Sequence, residues 1–400
     1  MSGTLSCLLS FVAVLGLALV AYSYVLYPVV LLFVAGWAQW LRDLRFVWRK
    51  QERRFGAVSS GALPPVGVVI SAFNEEAHVM ARVRNLQSLD YPPELLRFYI
   101  GSDGSTDRTA ELLRAETDVR VHAVLFEANR GKASVLNDLV AQVREPIVLF
   151  SDANTMFDAQ AVRRLVAHFS DPTVGGVCGE LRLLSGEGDN QDGLYWRFEQ
   201  MLKFFEARIG ALLGANGAIY AIRRALWSPL APDTICDDFC VAMNVVVKGS
   251  RLVYEPAALA YEDVPEQISD EYQRRVRIGI GNFQALFRQP EYALRTGGAT
   301  AWAYVSHKVL RWIGPHLLVI SLIASACLAS QSVAWGYVAA AQAGLYATGL
   351  SLYALSQQRV GLPGPLRVAA FLFALNWAFM VASWRFVRGD FRGSWRRSAR

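Results

Sequence analysis

The stretch from Leu8 to Trp40 contains no charged residue, and it limits the fold more than any other feature of the chain. It exceeds the roughly 20 residues that an α-helix needs to cross a bilayer. No basic segment precedes it and no Ala-x-Ala-like cleavage site follows it, which favours a membrane anchor over a cleaved signal peptide. We expect one spanning helix here, kinked at Pro28.

Further apolar runs occur near the C-terminus, at roughly Trp312–Ser330, Val333–Leu355 and Val368–Trp384. Basic residues cluster at 42–54, and Lys308 and Arg311 stand before the second span. Because Lys and Arg mark the cytoplasmic side of a span, we expect both ends of the polar middle region on that side. If the last, short run also crosses, the basic tail 385–400 lies outside, against the rule. An interfacial or re-entrant segment is the alternative.

The composition agrees with a globular middle region between membrane segments. Hydrophobic residues make up 53% of the chain, and their excess is concentrated outside the middle. The net charge of +6 comes from Lys and Arg beside apolar runs. This placement is typical of segments that face anionic lipids and not of nucleic-acid-binding proteins. The five cysteines lack the paired spacing of a zinc site and are expected to be reduced. The expected organisation is an N-terminal anchor (1–41), a basic juxtamembrane linker (42–63), a globular domain (64–290) and a C-terminal membrane region of about three apolar helices (291–400).

Strand-like and helix-like segments alternate between Pro64 and about Tyr261, which predicts an α/β domain with a mostly parallel sheet and helices on both faces. The expected strands are Val66–Ile70, Phe98–Gly101, Val119–Leu125 and Pro146–Phe150. Asn74 is expected to cap the helix after the first strand, and Thr106 or Asp107 the helix after the second.

Polar side chains follow several of these strands. Asp152 and Asn154 come after the strand that ends at Phe150, and because alternate residues of an extended chain point the same way, they can share one cation. An acidic turn occupies 102–107, and the pair Asp237-Asp238 comes later. Ligands of open α/β sheets bind beyond the carboxyl ends of the strands, so the pattern indicates a nucleotide-diphosphate site. No Gly-x-Gly-x-x-Gly follows the first strand, which argues against a dinucleotide enzyme.

Seven short motifs occur in a fixed order. They are Ser71-Ala72-Phe73-Asn74-Glu75, Ser102-Asp103-Gly104-Ser105-Thr106-Asp107, Arg130-Gly131-Lys132-Ala133, Asp152-Ala153-Asn154, Gly214-Ala215-Asn216-Gly217-Ala218, Asp237-Asp238 and Gln273-Arg274-Arg275-Val276-Arg277. In this order they resemble the membrane-bound family 2 glycosyltransferases, the group of cellulose, hyaluronan, chitin-oligosaccharide and poly-N-acetylglucosamine synthases. The resemblance covers residues from about 64 to 288. It implies a GT-A fold (Rossmann-like) and transfer of a sugar, with inversion, from a nucleotide-diphosphate donor, for which we expect UDP.

The resemblance gives each matching position a role. The donor-binding residues it implies are Ala72, Asn74, Glu75, Asp103, Lys132, Asp152, Arg274 and Arg277. Among them Asp103 matches the carboxylate that contacts the nucleoside, and Lys132, before a helix, suits phosphate. Asp152 and Asn154 match a metal motif for Mg²⁺ or Mn²⁺, although the amide of Asn154 leaves one fewer negative charge. The structural alternatives are a turn at Asp103, a solvated basic turn at 130–132 and a helix cap at Asn154.

The resemblance also implies the catalytic and acceptor residues. Asp238 matches the general base that removes a proton from the acceptor, with Asp237 in the acidic position before it. Adjacent residues of an extended chain point in opposite directions, so we expect only one of the two to act; capping of the helix at 239–247 is the alternative for Asp238. Gly214, Asn216 and Gly217 match the acceptor segment, where small residues permit close approach, and a tight turn is the alternative there.

The last motif departs most from the family. The family usually has Gln-x-x-Arg-Trp, and this chain has Arg274, Arg277 and Ile278 at the positions of Gln, Arg and Trp. The Arg that neutralises the leaving diphosphate in the family is therefore kept, and the Trp that stacks on the acceptor is not. Two enzymes stay open: a polysaccharide synthase, working with a second copy or an export partner, and a transferase that adds one sugar to a lipid-linked acceptor. A silent scaffold that binds nucleotide sugar is the alternative from another class. The chain is expected in the inner or plasma membrane, with its catalytic domain cytoplasmic.

Overall fold

The computed structural model describes residues 2–50, 63–184, 193–263, 268–358 and 361–391. Most of the expected linker and the basic tail from residue 392 lie outside the described residues. The described chain forms an α/β domain between apolar helices at the two ends of the sequence. This confirms the predicted fold class.

The elements are numbered in chain order. The helices are α1 (Gly3–Ala21), α2 (Tyr27–Arg49), α3 (Val79–Gln87), α4 (Thr109–Arg114), α5 (Lys132–Gln142), α6 (Ala161–Ala167), α7 (Gly193–Arg208), α8 (Asp237–Val247), α9 (Ile268–Arg288), α10 (Glu291–Leu294), α11 (Gly298–Ala303), α12 (Leu310–Leu328), α13 (Val333–Gln357) and α14 (Gly364–Val387). The strands are β1 (Val66–Ala72), β2 (Leu96–Asp103), β3 (Val121–Phe126), β4 (Ile147–Asp152), β5 (Met156–Phe157), β6 (Val174–Leu184), β7 (Tyr220–Arg223) and β8 (Arg251–Asp263). Two π-helical turns, Tyr22–Leu26 and Tyr304–Val309, join α1 to α2 and α11 to α12. The four predicted strands are present, and β1, β2 and β4 run about two residues further than predicted, so Asp103 and Asp152 belong to the strands themselves.

The described strands form one sheet in the order β3-β2-β1-β4-β7-β6-β8-β5. The pairs β1–β2, β1–β4, β2–β3 and β6–β8 are parallel, and β4–β7, β6–β7 and β5–β8 are antiparallel. The chain adds strands on opposite sides of β1, where Ala72 lies beside Ser102 and Ser71 beside Asp152. The carboxyl ends of β1, β2 and β4 therefore meet at a topological switch point, where sheets of this type bind ligands.

Apolar side chains cover both faces of the sheet. On one face Val83 and Leu165, from α3 and α6, join the core around β1. On the other face Leu139 of α5 belongs to a core that continues into Tyr27 and Trp312 of the apolar terminal helices. The α/β domain and those helices therefore share one hydrophobic core.

Charged side chains reinforce this junction. Glu206 of α7 is fully buried and accepts a hydrogen bond from the hydroxyl of Tyr27 at 2.7 Å. The same carboxylate lies 2.6 Å from Nδ1 of His307. Two turns earlier on α7, the carboxylate of Glu199 accepts a hydrogen bond from Arg311 at 2.6 Å. Three groups of the terminal helices thus hold two carboxylates of α7.

Among the residues that the structure describes, four helices are long and apolar enough to cross a membrane: Gly3–Arg49, Gly298–Leu328, Val333–Gln357 and Gly364–Val387. The first contains the π turn directly before Pro28, where a kink was predicted. The first two pack closely, because the Ser321 hydroxyl donates to the Ala13 carbonyl at 2.8 Å. The second and third form an antiparallel hairpin in which Tyr346 Oη lies 3.5 Å from the Leu318 carbonyl oxygen.

The helix α14 crosses this hairpin steeply. Phe373 packs against Gly349 of α13, one turn beyond Tyr346, which contacts Leu318 in the first half of α12. Ser383 then meets His316 of α12 at 2.8 Å, near the same level. A helix running along α12 would have moved by about 15 Å between those two positions. We find α14 lying across α12, which favours the interfacial alternative for the last apolar run.

Candidate active site

The loop after β1 is tied to the loop after β2. Asn74 has a positive φ of 55°, and its side-chain oxygen accepts from the amide of Thr106 at 2.7 Å. The predicted capping role of Asn74 is wrong, because α3 begins only at Val79 and the Asn74 side chain is used between the loops. Ala72 is the last residue of β1 and is fully buried below this loop.

Two further bonds join these loops. The amide of Glu76 donates to Oδ2 of Asp107 at 3.1 Å. The amide of Glu75 donates to the hydroxyl of Thr109 at 2.8 Å. The carboxylate of Asp107 accepts from the amide of Thr109 at 2.9 Å, at the start of α4. Asp107 therefore bonds to the first amide of α4 from the position before the N-cap residue, Arg108.

Asp103 holds the loop that leads into α5. It is 2% exposed, and its two carboxylate oxygens accept from the amides of Arg130 at 2.8 Å and Gly131 at 2.9 Å. Gly104, with a φ of +64°, lies where a Cβ would come within 2.4 Å of the Ala128 carbonyl carbon. Each carboxylate oxygen retains acceptor capacity, so contact of Asp103 with a nucleoside stays a prediction.

Lys132 is the first residue of α5 and links two carboxylates. Its Nζ lies 2.8 Å from Asp152 Oδ1 and 3.2 Å from Asp237 Oδ2. Burial alone would lower the pKa of Lys132, but the two carboxylates outweigh burial and raise it above its usual value. The fold therefore places a charged ammonium between the end of β4 and the start of α8.

Asp237 and Asp238 are the first two residues of α8. The expectation that they point in opposite directions on an extended chain is wrong, since both lie in a helical turn. Oδ1 of Asp238 accepts from the amide of Phe239 at 2.7 Å. Burial and the neighbouring Asp237 carboxylate raise the pKa of Asp238 to about 6. A carboxylate with such a pKa is suited to act as a base near neutral pH.

Gly217 lies between two of the carboxylates. A Cβ at this position would be 3.3 Å from Asp238 Oδ2 and 3.8 Å from Asp152 Oδ2. The glycine thus leaves a gap that both carboxylates face. Two predicted site residues that are more than eighty positions apart in sequence come together here.

The rest of the acceptor segment is fixed by its neighbours. Gly214 has a φ of +75°, and a Cβ there would be 2.7 Å from the ring of Phe239. The amide of Asn216 donates to Sγ of the buried Cys178 at 3.1 Å. Gly214 and Asn216 are therefore held against α8 and β6, and they precede Gly217 directly in the chain.

Of the two predicted arginines, Arg277 lies nearer to the site. It precedes Gly281 by one turn of α9, where a Cβ would be 2.5 Å from Cys236 Sγ, so both residues face the segment before Asp237. Arg274 is exposed. Ile278, at the position of the family's Trp, is 37% exposed.

Two buried residues beside the site, Arg82 and Tyr220, were not predicted from the sequence. Arg82 is 1% exposed, and its guanidinium donates to Ser151 Oγ at 2.9 Å beneath Asp152. Tyr220 is buried, with its ring stacked at 4.8 Å on Phe150 of the neighbouring strand. A cation on the apolar face of α3 was the only available signal for Arg82, and no motif marks Tyr220.

The predicted metal residues are Asp152, at the end of β4, and Asn154, two residues later. Asp152 Oδ1 is bonded to Lys132, whereas its Oδ2 faces the gap at Gly217. Within the described ranges, no group of three or more His, Cys, Asp or Glu side chains is placed to hold a metal ion. One carboxylate oxygen directed at open space fits a hard cation that takes its other ligands from a diphosphate.

Comparison with known families covers nearly all of these elements. The model of glycosyl transferase family 2 matches residues 67–226, and that of glycosyl transferase family group 2 matches residues 147–386, more than half of the chain. The chain belongs to this glycosyltransferase family. All candidate residues named above lie within the two matches.

Individual relatives agree with the family assignment. This glycosyltransferase is 24% identical over 289 residues to the poly-beta-1,6-N-acetyl-D-glucosamine synthase of Staphylococcus aureus (strain COL), with 70% of this chain and 69% of the relative aligned. The Staphylococcus epidermidis synthase is 28% identical over 233 residues, 56% of each chain. A mannosyltransferase from Pyrobaculum calidifontis, solved with GDP-Man and Mn²⁺, superposes with a TM-score of 0.66 at 21% identity, covering 95% of this chain and 99% of that one. The GT-A fold and homology to a polysaccharide synthase are thereby confirmed.

Proposed function

We propose that this glycosyltransferase transfers a sugar from a nucleotide-diphosphate donor, which we expect to be UDP-linked, to a growing polysaccharide at the membrane, with inversion at the anomeric carbon. The observation that carries the proposal is the gap at Gly217, faced by Asp152 at the end of β4 and Asp238 at the start of α8. One carboxylate is available to the donor phosphates and the other to the acceptor.

Asp238 acts as the general base. The acceptor hydroxyl loses its proton to the Asp238 carboxylate while its oxygen bonds to the anomeric carbon, and the nucleoside diphosphate leaves from the opposite face. A single displacement needs one base, which agrees with a pair of carboxylates in which Asp237 is paired with Lys132. Gly214, Asn216 and Gly217 line the acceptor side of the gap.

The donor is held at the carboxyl ends of β1, β2 and β4. The donor-side residues we propose are Ala72, Asn74, Glu75, Asp103, Lys132, Asp152, Arg274 and Arg277. A Mg²⁺ or Mn²⁺ ion held by Asp152 and Asn154 would supply charge neutralisation to the diphosphate. Lys132 and Arg277 add positive charge on the same group as it leaves. A Mn²⁺-bound mannosyltransferase of the same fold supports the use of a divalent ion.

The second candidate is transfer of a single sugar to a lipid-linked acceptor. The position of the family's Trp is occupied by Ile278, which offers no aromatic face to a sugar chain. Homology to a polysaccharide synthase supports the first candidate, and a polymer would require an exit route formed with a second copy or an export partner. A scaffold without catalysis is disfavoured because binding alone has no use for a base at Asp238.

We further propose that the four apolar helices place the enzyme in the inner or plasma membrane, with the catalytic domain in the cytoplasm. The basic end of α2, at Arg42, Arg45 and Arg49, supports this side. The proposed partners are the nucleotide sugar, the glycan or lipid-linked acceptor, and membrane lipids.

Donor turnover tests the function directly. Protein in lipid nanodiscs is given UDP-, GDP- and dTDP-sugars with Mg²⁺ or Mn²⁺, and nucleotide release and glycan products are measured. We expect metal-dependent release from one donor, reduced by roughly 100-fold or more in Asp238→Asn but not in the exposed control Asp90→Asn. Long products identify a polymerase and single additions identify the second candidate. Donor binding without release, even with membrane lipids supplied as acceptors, would contradict the enzyme.

A further inference from the structure

A cleft of about 600 Å³ lies between α2, the end of α7 and the start of α11, and none of its lining residues belongs to the candidate active site. One wall is a stripe of residues spaced by four along α2: Val30, Val34, Ala38 and Arg42. Residues at this spacing share one face of a helix. The stripe is about 18 Å long, close to the roughly 15 Å depth of hydrocarbon in one bilayer leaflet. It is apolar until its last residue, which is cationic.

The opposite wall is rigid at one point and open at another. Trp302 donates from Nε1 to the hydroxyl of Tyr22 at 2.9 Å, and its ring lies 5.0 Å from that of Tyr27. Gly298 and Ala299 line the cleft beside it, and a Cβ on Gly298 would meet nothing within 4 Å. The cleft therefore combines a fixed aromatic surface with free space at the start of the helix.

Positive charge collects at this open end. Arg42 donates from Nη1 to the carbonyl of Arg208 at 3.1 Å, and the Arg208 guanidinium lies 4.8 Å from the centre of the Phe204 ring. The helix Gly298–Leu328 begins here with Gly297 as its N-cap, which contributes no side-chain cap. The first amides of a long helix carry partial positive charge and bind phosphate groups. The nearby carboxylate of Asp43 accepts from the Gln39 side chain at 3.1 Å.

We propose that this cleft binds one anionic phospholipid from the leaflet that faces the catalytic domain. The phosphate lies between Arg42, Arg208 and the first turn of the Gly298 helix, and an acyl chain follows the stripe toward Val30. Charge complementarity selects an anionic headgroup, and the length of the stripe selects a lipid over a soluble phosphate. This site depends on the membrane placement proposed above and is independent of sugar transfer.

Lipid retention measured by native mass spectrometry tests the site. Purified protein is incubated in detergent with phosphatidylglycerol or phosphatidylcholine. We expect one retained phosphatidylglycerol in the wild type and roughly tenfold less in Arg42→Gln/Arg208→Gln, because charge-assisted contacts are lost. Ala38→Trp fills the stripe without changing charge and should have the same effect. Arg45→Gln removes an exposed charge on the same helix outside the cleft and should retain the lipid.

Three outcomes would overturn the site. Equal retention of both lipids would show an apolar cleft without headgroup recognition. Loss in Arg45→Gln as large as in the double variant would show general surface attraction. Displacement of the lipid by inorganic phosphate at matched concentration would show an anion site only. Protein that stays soluble without detergent would instead contradict the proposed membrane placement, and inactive protein that retains the lipid would contradict only the proposed reaction.

Discussion

The missing side chain of Gly217 determines the space between Asp152 and Asp238. Any larger residue at this position would put side-chain carbon atoms into the gap that both carboxylates face. The same position lies in a segment fixed by the Asn216 amide, so the backbone has little freedom to move away. The proposed donor and acceptor must both approach this point.

We predict that Gly217→Val abolishes nucleotide release, by roughly 100-fold or more, while the protein still folds, because the side chain would fill the space for the reacting groups. Release and thermal melting are measured in parallel. Gly344→Val, at a helical glycine with nothing within 4 Å of its added Cβ, is the control. Normal turnover in Gly217→Val would show that the reaction occurs elsewhere.

The pH dependence of activity should report Asp238. Its pKa is raised to about 6, so the basic form dominates above that pH and is lost below it. We therefore predict that kcat/KM falls roughly tenfold per unit as the pH decreases below about 6. Lys132 lowers the pKa of Asp238, so Lys132→Gln should move this limb to higher pH, whatever its effect on the maximum rate. A limb at the same pH in both proteins would contradict the assignment.

The identities of the site residues could be predicted better than their contacts. Asp103, Asp152 and Asp238 stand in short motifs, which the sequence displays directly. The bridge from Lys132 to Asp237 could not be predicted, because it joins α5 to α8 through the fold of the whole domain. The helical start at Asp237 was missed because two acidic residues suit both a helix N-terminus and a loop.

At the scale of elements, α7 connects the catalytic domain to the membrane helices through buried charges. Glu206 is fully buried and depends on Tyr27 and His307 for its partners. Removing one partner of a buried carboxylate lowers the free energy of unfolding more than replacing the partner and the carboxylate together, because an unpaired charge would stay buried.

We predict that His307→Leu lowers the melting temperature by roughly 5–10 °C and that Glu206→Gln/His307→Leu recovers part of this loss. The amide in the double variant is neutral and still accepts from Tyr27. Thermal unfolding in detergent, with the exposed His122→Leu as control, measures the difference. If the single and double variants melt at the same temperature, the junction does not depend on a buried charge.

Element positions followed from the sequence, whereas the direction of α14 did not. The strands β1, β2 and β4 were recognisable as short apolar runs that end in polar residues. An apolar helix of the length of α14 can cross a bilayer or lie at its surface. Its contacts with His316 and Gly349, which distinguish these cases, depend on tertiary packing.

At the scale of the whole molecule, contacts between distant segments predict on which side of the membrane each segment lies. Ser6 donates to Gln331 at 2.6 Å, so the N-terminus and the turn between α12 and α13 lie at one end. The C-terminal end of α14 packs instead beside α9, through Phe386 and Phe283, on the side of the catalytic domain.

Cysteine labelling tests this topology in a protein with Cys7 and Cys327 replaced by serine. We predict that an impermeant maleimide labels Gln331→Cys in intact cells. Val119→Cys, at a residue 88% exposed on the catalytic domain, and Arg388→Cys should react only after the cells are opened. Labelling of Arg388→Cys in intact cells would show that α14 spans the membrane. Labelling of Val119→Cys in intact cells would show that the catalytic domain lies on the outer side.

The two π turns meet one another, because Ser23 donates to the Ser306 carbonyl at 2.8 Å. A π turn holds one residue more than the α-helical turn it replaces. Loss of one residue from Tyr22–Leu26 would rotate α1 by about 100° and carry Ala13 away from Ser321. Tyr22 and Ser306 are 284 residues apart in sequence. Single-residue insertions and deletions in these two segments should therefore occur together during the evolution of the protein, while the surface loops change length independently.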